Sequence, residues 1–165
     1  MKKLSILLIT ILCLVGCNSV KDNESEPKKV NEMANTTWIA SDGSEMIFGE
    51  KEMNWYKDEG VHDDNYYTGT YEYYRGKDAV KFITTELSEY GVTEEEVDRL
   101  FEKNSEQTEE NFVVFNLVYS GIVIGGETTV PPRPLVPWYG FILKDGTYLD
   151  VVNMNTATYY AFTKK

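Results

Sequence analysis

Short apolar segments alternate with polar, glycine-containing turns along the chain from Asn35 onward. The clearest segment is 66–74, in which Tyr67, Tyr71 and Tyr73 share one face because strand side chains repeat with a period of two. Similar runs of β-branched and aromatic residues predict further strands at 36–40, 45–48, 52–56, 79–84, 112–119, 122–124, 139–144, 148–152 and 156–162. The turns between them come at hairpin spacing, which is typical of antiparallel sheets.

One segment departs from the period of two. Thr93 and Glu96 have the spacing of a T-x-x-E capping box, in which each side chain bonds the backbone of the other residue. Apolar residues then follow at helical spacing, beginning with Val97 and Leu100. We therefore predict one main α-helix, over residues 94–103.

The pattern as a whole predicts a mainly β protein. About eight or nine short strands at hairpin spacing form an antiparallel barrel or sandwich, and we expect a single β-rich domain over residues 34–165. The position of Trp38 in the first strand resembles that of lipocalin-like calycin barrels, where a tryptophan near the start plugs one end. Their late basic partner is an arginine, whereas the C-terminus here carries Lys164 and Lys165. The resemblance implies a closed barrel.

A proline-rich stretch interrupts the strand pattern at residues 131–137. Proline lacks the N–H group that a central strand donates, so we predict an extended polyproline segment here and not a strand. This segment is either a rigid crossover over one end of the barrel or a docking edge that carries Arg133 and Leu135. In the second case we expect ligand or partner contacts to extend to Trp138 and Tyr139.

The first sixteen residues have the pattern of a secretory signal peptide. Lys2 and Lys3 precede an apolar run from Leu4 to Val15, which is shorter than the roughly 20 residues needed to span a bilayer. The run ends in L-V-G-C at Cys17, which resembles the lipobox of bacterial lipoproteins. That resemblance implies cleavage before Cys17 and a diacylglyceryl group on its thiol, which anchors the chain at the cell membrane, facing the extracellular side. The stretches D-G-S, D-N-Y-Y and N-M-N-T are also similar to surface lipoproteins of Gram-positive bacteria, at 42–44, 64–67 and 153–156.

The segment between this anchor and the domain, residues 17–33, is polar and should be a disordered tether because it cannot bury enough surface to offset its chain entropy. Removal of the signal peptide leaves 14 basic and 27 acidic residues, a balance of −13. So acidic a chain is not expected to bind nucleic acid, although it would attract cationic partners. Cys13 leaves with the signal peptide and Cys17 is lipidated, so no disulfide is expected.

Candidate chemistry is sparse. The sole histidine, His62, lies among acidic residues, but their spacing matches no calcium-binding loop, so we predict an exposed acidic loop and no metal site. The sequence has no G-x-S-x-G nucleophile elbow and no glycine-rich loop that leads into a helix. We therefore expect neither an enzyme nor a cofactor.

These observations favour a non-enzymatic binding module, monomeric and held at the membrane through the lipid on Cys17. Its partner would be a small ligand, a peptide or a protein. The charge of the mature chain motivates one alternative, an immunity-type lipoprotein that sequesters cationic peptides. A second alternative is an enzyme of unrecognised type.

Overall fold

The computed structural model describes residues Asn31–Lys165, which form an antiparallel β-barrel with two α-helices against its outer wall. The mainly β fold class is therefore confirmed. The strands are β1 (Thr36–Ala40), β2 (Glu45–Phe48), β3 (Glu52–Tyr56), β4 (Tyr66–Arg75), β5 (Phe112–Ile124), β6 (Glu127–Thr129), β7 (Leu135–Leu143), β8 (Tyr148–Asn153) and β9 (Thr158–Lys164). The helices are α1 (Lys77–Thr85) and α2 (Glu94–Glu102), both in the connection between β4 and β5.

The barrel has an up-and-down topology. Going round the wall, β1 to β5 pair in chain order, β5 continues to β7, β8 and β9, and β9 returns to β1. Eight strands thus close the wall, while β6 extends the sheet by pairing with the last three residues of β5. Closure leaves few free sheet edges. The architecture is that of a closed barrel and is compatible with the calycin-like barrel that the position of Trp38 suggested.

The inward-facing side of each strand fills the barrel interior. Trp38 of β1 is fully buried and lies in register with Met46 of β2 and Lys164 of β9. Burial of a large apolar side chain contributes about 1.5–3 kcal/mol to stability, so this interior carries much of the folding free energy. The buried interior residues are Met33, Trp38, Ala40, Met46, Phe48, Met53, Tyr71, Val113, Phe115, Leu117, Tyr119, Val136, Trp138, Ile142, Leu149, Val151 and Phe162.

A second apolar core lies outside the barrel, where α1 and α2 cover β5 and β7. The prediction of a strand at 79–84 is wrong, because this segment is most of α1. Ala79 and Ile83 are fully buried one helical turn apart, and Leu87 follows one turn further on. A short apolar run is ambiguous between strand and helix, and burial of this stripe against the barrel outweighs the local β propensity of the segment.

The second helix matches its prediction closely. α2 begins after Thr93, whose Oγ1 accepts a hydrogen bond from the backbone N–H of Glu96 at 3.3 Å. The Glu96 carboxylate in turn accepts from the backbone N–H of Thr93 at 2.9 Å, which completes the capping box. Val97 is fully buried in the second core. No helix in the described part of the chain is long and apolar enough to cross a membrane.

The proline-rich stretch is only partly as predicted. Residues 131–134 lie outside any strand, but β7 begins at Leu135 and includes Pro137. Pro137 pairs with β5, whereas pairing of β7 with β8 starts one residue later, at Trp138. The absent N–H of Pro137 therefore falls at the end of the β8 ladder, a position where a strand tolerates proline.

One end of the barrel, here the closed end, is sealed by the first described residues. Met33 is fully buried in the barrel core. The Asn31 side chain donates to the hydroxyl of Tyr71 at 3.0 Å, and the Glu32 carboxylate pairs with the Arg75 guanidinium. These contacts tie the segment to β4, so the closed end is built partly from residues that precede β1.

The folded domain is accordingly slightly longer than the sequence predicts. Residues 31–33, which the sequence assigns to the tether, belong to the barrel. The predicted signal peptide, Cys17 and the remainder of the predicted tether lie outside the described residues.

Candidate functional site

A large cavity occupies the opposite, open end of the barrel, here called the mouth. Its volume is about 1020 Å³, a size suited to a small organic ligand or a short peptide segment. The mouth is surrounded by the β1–β2 turn, the ends of β5 and β7, the β8–β9 turn and the β3–β4 connection, residues 57–65, here called the mouth loop.

Aromatic rings form the walls of the cavity. Trp55 and Tyr67 are 6.0 Å apart between ring centroids, Tyr67 and Tyr119 are 5.3 Å apart, and Tyr160 lies 5.8 Å from Trp55. Trp138 packs behind these rings, 5.7 Å from Trp55 and 4.8 Å from Tyr160. In an up-and-down barrel, neighbouring strands are antiparallel, so the last residues of one strand and the first residues of the next are at the same end of the barrel. Rings from β3, β4, β5, β7 and β9 therefore converge at one end.

Two buried polar groups next to the cavity lack a hydrogen-bond partner among the described residues. They are the hydroxyl of Tyr119, which lines the cavity, and the indole Nε1 of Trp138. The two residues are only 7% and 1% exposed. Burial raises the pKa of Tyr119, and the neighbouring Tyr67 and Tyr160 raise it further, so the hydroxyl stays protonated and can donate at neutral pH.

Unpaired burial of this kind is costly. A buried donor without a partner loses about 1–3 kcal/mol of solvation, and native structures contain few such groups. The third tryptophan, Trp38, shows the usual arrangement, since its Nε1 donates to Thr36 Oγ1 at 2.8 Å. The hydroxyl of Tyr119, which lines the cavity, is therefore the donor placed for an acceptor on a bound molecule, whereas the indole N–H of Trp138 lies behind the walls.

The rim of the cavity is negatively charged. Asp42, Asp58 and Asp63 line it, and Lys57 is the one basic residue among the described residues that do so. Two of these carboxylates are held in place locally. Asp42 accepts from the backbone N–H and the hydroxyl of Ser44 at 2.9 and 2.7 Å, and Asp63 accepts from the backbone N–H of Asn65 at 2.9 Å.

The mouth loop is held against the barrel wall by the buried carboxylate of Glu45, which is 1% exposed. This carboxylate accepts from the backbone N–H of Gly60 at 3.0 Å and from Lys165 Nζ at 3.2 Å, and His62 Nε2 lies 2.6 Å from it. Burial raises the pKa of Glu45, but these partners outweigh burial and hold the pKa below its usual range. We call this group of four residues the Glu45 latch.

His62 therefore has a positional role in the fold. Its side chain is 47% exposed, and its ring packs against the ring of Tyr56 at an interplanar angle of 38°, with 4.5 Å between the ring centroids. The imidazole faces the carboxylate of Glu45 and does not line the cavity. Within residues 31–165, no group of three or more His, Cys, Asp or Glu side chains is arranged to hold a metal ion.

The structure separates the four contact residues that the sequence predicts. Leu135 begins β7 beside the mouth, where its carbonyl accepts from the side chain of Asn155 at 2.8 Å, and Asn155 lines the cavity. Trp138 lies behind the aromatic walls. Arg133 is exposed on the β6–β7 connection and does not line the cavity. Tyr139 is on the outer face of β7 and packs against the second core.

Sequence reasoning missed the walls themselves. Trp55, Tyr67, Tyr119 and Tyr160 could be predicted as strand residues, but not as one cluster. A usable signal does exist: each ring lies toward the strand end that an up-and-down barrel brings to the same side. This signal can be used only when the order of the strands in the barrel is known, and the strand order is not evident from the sequence alone.

Comparisons with known proteins gave no matching protein-family model, and no curated protein or solved structure of significant similarity. The chemistry of the site is therefore inferred from its own residues. They provide aromatic walls, buried hydrogen-bond donors and an acidic rim, and residues 31–165 contain no cysteine.

Proposed function

We propose that this protein is a non-enzymatic binding module, anchored by lipid on Cys17 at the outer face of the cell membrane, and that its ligand occupies the cavity at the mouth. The observation that carries the proposal is the unpartnered hydroxyl of Tyr119, 7% exposed on the wall of an aromatic cavity. A ligand with an acceptor group would satisfy it. The cost of leaving it unpaired in the free protein is then recovered on binding.

The composition of the site supports binding more than catalysis. Ligand pockets are mostly apolar with a few polar groups that fix orientation, which fits the aromatic walls and the unpartnered hydroxyl of Tyr119. A hydrolytic site would need a nucleophile beside a base. The sole histidine of the chain, His62, is engaged with Glu45 and does not line the cavity.

The arrangement of the barrel also suits an anchored receptor. The first described residues are at the closed end, where Asn31 contacts Tyr71 and Glu32 contacts Arg75. The mouth is at the other end of the barrel. A tether that joins the domain at Asn31 would therefore be attached at the end of the barrel opposite the mouth.

Titration with the neutral fluorescent dye N-phenyl-1-naphthylamine tests the proposal. The protein would be the mature chain, residues 17–165, with Cys17→Ser to prevent lipidation. We expect saturable fluorescence enhancement, and Tyr67→Ala should weaken dye binding about tenfold because it removes a wall ring. Tyr159→Ala is the matched control, since Tyr159 is similarly exposed, at 58% against 42% for Tyr67, but does not line the cavity.

Two results would contradict the proposal. One is the absence of saturable enhancement with the unsubstituted chain. The other is an equal effect of Tyr67→Ala and Tyr159→Ala, because the dye would then bind somewhere other than the mouth.

A further inference from the structure

We infer that the natural ligand is a cationic amphiphile, with an apolar or aromatic body and an amine or guanidinium group, as in a segment of a basic peptide. This inference rests on the proposed function and names the ligand class of the same cavity. It combines the charge of the rim, the chemistry of the walls and the apolar surface of the mouth.

The rim carboxylates set the sign of the ligand charge. The described residues that line the cavity include three aspartates, Asp42, Asp58 and Asp63, and one basic residue, Lys57. The whole chain is also acidic, with a formal charge of −11. A ligand that approaches within a Debye length of about 8 Å therefore meets an attractive potential if it is cationic and a repulsive one if it is anionic.

The aromatic walls can also attract the cationic group of a ligand that has entered the cavity. The π faces of tryptophan and tyrosine attract cations, by about 0.5–1 kcal/mol at exposed sites and about 2 kcal/mol where water is excluded. Trp55, Tyr67 and Tyr160 provide such rings. Asp42 is close enough to Tyr160 that, after burial, its carboxylate raises the pKa of this tyrosine. A carboxylate and a ring can thus act on one bound cation.

Hydrogen bonding points to a ligand that also carries acceptors. The hydroxyl of Tyr119, which lines the cavity, has no partner among the described residues. A carbonyl oxygen on the ligand could accept a hydrogen bond from it. A peptide-like ligand meets both requirements, because its carbonyl groups accept hydrogen bonds while its basic side chain or amino terminus carries the charge.

The mouth also exposes apolar surface. Val61, Tyr67 and Ile124 are 49%, 42% and 66% exposed, and all three line the cavity. Large exposed apolar side chains that cluster at the entrance of a cavity are typical of a binding surface. These side chains favour a ligand with an apolar part that extends beyond the cavity. A small hydrophilic cation has no such part.

A set of three matched naphthalene compounds tests the inference. 1-Naphthylmethylamine is cationic at neutral pH, 1-naphthylmethanol is neutral and 1-naphthylacetate is anionic, on the same aromatic body. Each would displace N-phenyl-1-naphthylamine from the mature chain, residues 17–165, with Cys17→Ser. We expect the cation to bind about tenfold more tightly than the alcohol and the anion to bind most weakly, with the difference shrinking as salt is added.

Substitution of the rim carboxylates identifies the groups responsible. The triple variant Asp42→Asn, Asp58→Asn and Asp63→Asn should remove most of the cation's advantage over the neutral alcohol. Asn keeps the size of the side chain and an oxygen that can accept from Ser44. The control is Asp98→Asn, an exposed carboxylate on α2, which should leave all three affinities as they are.

The outcomes separate the ligand class from the proposed function. Equal binding of cation and alcohol, or preferential binding of the anion, overturns the ligand class while the cavity remains a binding site. A cation preference that survives the triple variant also overturns it, because the rim would not be its source. If none of the three compounds and no dye binds, the proposed function fails and the inference fails with it.

Discussion

Lys164 extends its ammonium group over the ring of Trp38, 5.8 Å from the ring centroid, at the seam where β9 closes onto β1. The seam is short, with three residue pairs between the two strands. A basic side chain from the last strand thus covers the tryptophan of the first.

Closure of the barrel should depend on this pair. Trp38→Ala should lower the free energy of unfolding by about 3–5 kcal/mol, because it leaves a cavity in the closed end. Lys164→Gln should cost about 0.5–1 kcal/mol through loss of the cation–π contact, and Lys164→Arg should retain it. Urea unfolding measures these changes. Equal effects of Lys164→Gln and the distant, exposed Lys103→Gln would contradict a role for the cation.

The start of the folded domain gives a second prediction. A chain that begins at Asn31 should be more stable than one that begins at Ala34, by about 2–5 kcal/mol, because the longer chain keeps the fully buried Met33. It also keeps the contacts of Asn31 with Tyr71 and of Glu32 with Arg75. Thermal unfolding of the two chains would measure the difference. Equal stability would mean that these residues do not seal the closed end.

The Glu45 latch predicts a specific dependence on pH. Because the partners of Glu45 hold its pKa below the usual range in the folded protein, the unfolded chain takes up the proton first as pH falls. The stabilisation is therefore fully present above about pH 4.3, the usual pKa of glutamate, and is lost as pH falls through the folded-state pKa. Above about pH 4.3, Glu45→Gln should lower the free energy of unfolding by about 1–3 kcal/mol.

The acid range distinguishes this latch from general surface charge. Wild-type stability should converge on that of Glu45→Gln as pH falls, whereas the exposed Glu52→Gln should follow the wild-type profile throughout. Parallel profiles of the wild type and Glu45→Gln would mean that the carboxylate is not held by Gly60, His62 and Lys165.

Cys17 gives a prediction about localisation. Mass spectrometry of the mature protein should identify Cys17 as an N-terminal, diacylated residue, and Cys17→Ala should abolish both processing and membrane retention. Two acyl chains give stable anchoring where one gives only marginal binding. Cys13→Ala is the control, because that residue lies within the predicted signal peptide. A processed, membrane-bound Cys17→Ala protein would rule out the lipid anchor.

Local signals in the sequence predicted local structure well. The capping box of Thr93 and Glu96 lies within a few residues, so α2 could be located from the chain alone. The strand period did the same for β1, β2 and β3. The strand prediction for 79–84 was wrong because this segment is helical. Its apolar residues are buried against a barrel wall formed by residues that are distant in the sequence.

The candidate site was harder to predict because it depends on closure. Glu45 reads as an ordinary acidic residue in a strand, yet its partner Lys165 is 120 positions away along the chain. Trp55 and Tyr160 meet only because β3 and β9 belong to one barrel. Contact of Trp138 with a ligand stays a prediction; the structure places this residue behind the rings that form the walls.

The three tryptophans can report directly on whether the mouth holds the ligand. Trp38 is at the closed end with its indole bonded to Thr36, whereas Trp55 lines the cavity and Trp138 lies behind its walls. The measurement is an NMR titration of the nitrogen-15-labelled indole N–H groups with N-phenyl-1-naphthylamine. We expect saturable shifts of the Trp55 and Trp138 signals and an unmoved Trp38 signal. Unmoved Trp55 and Trp138 signals, or shifts confined to Trp38, would show that the dye does not occupy the mouth.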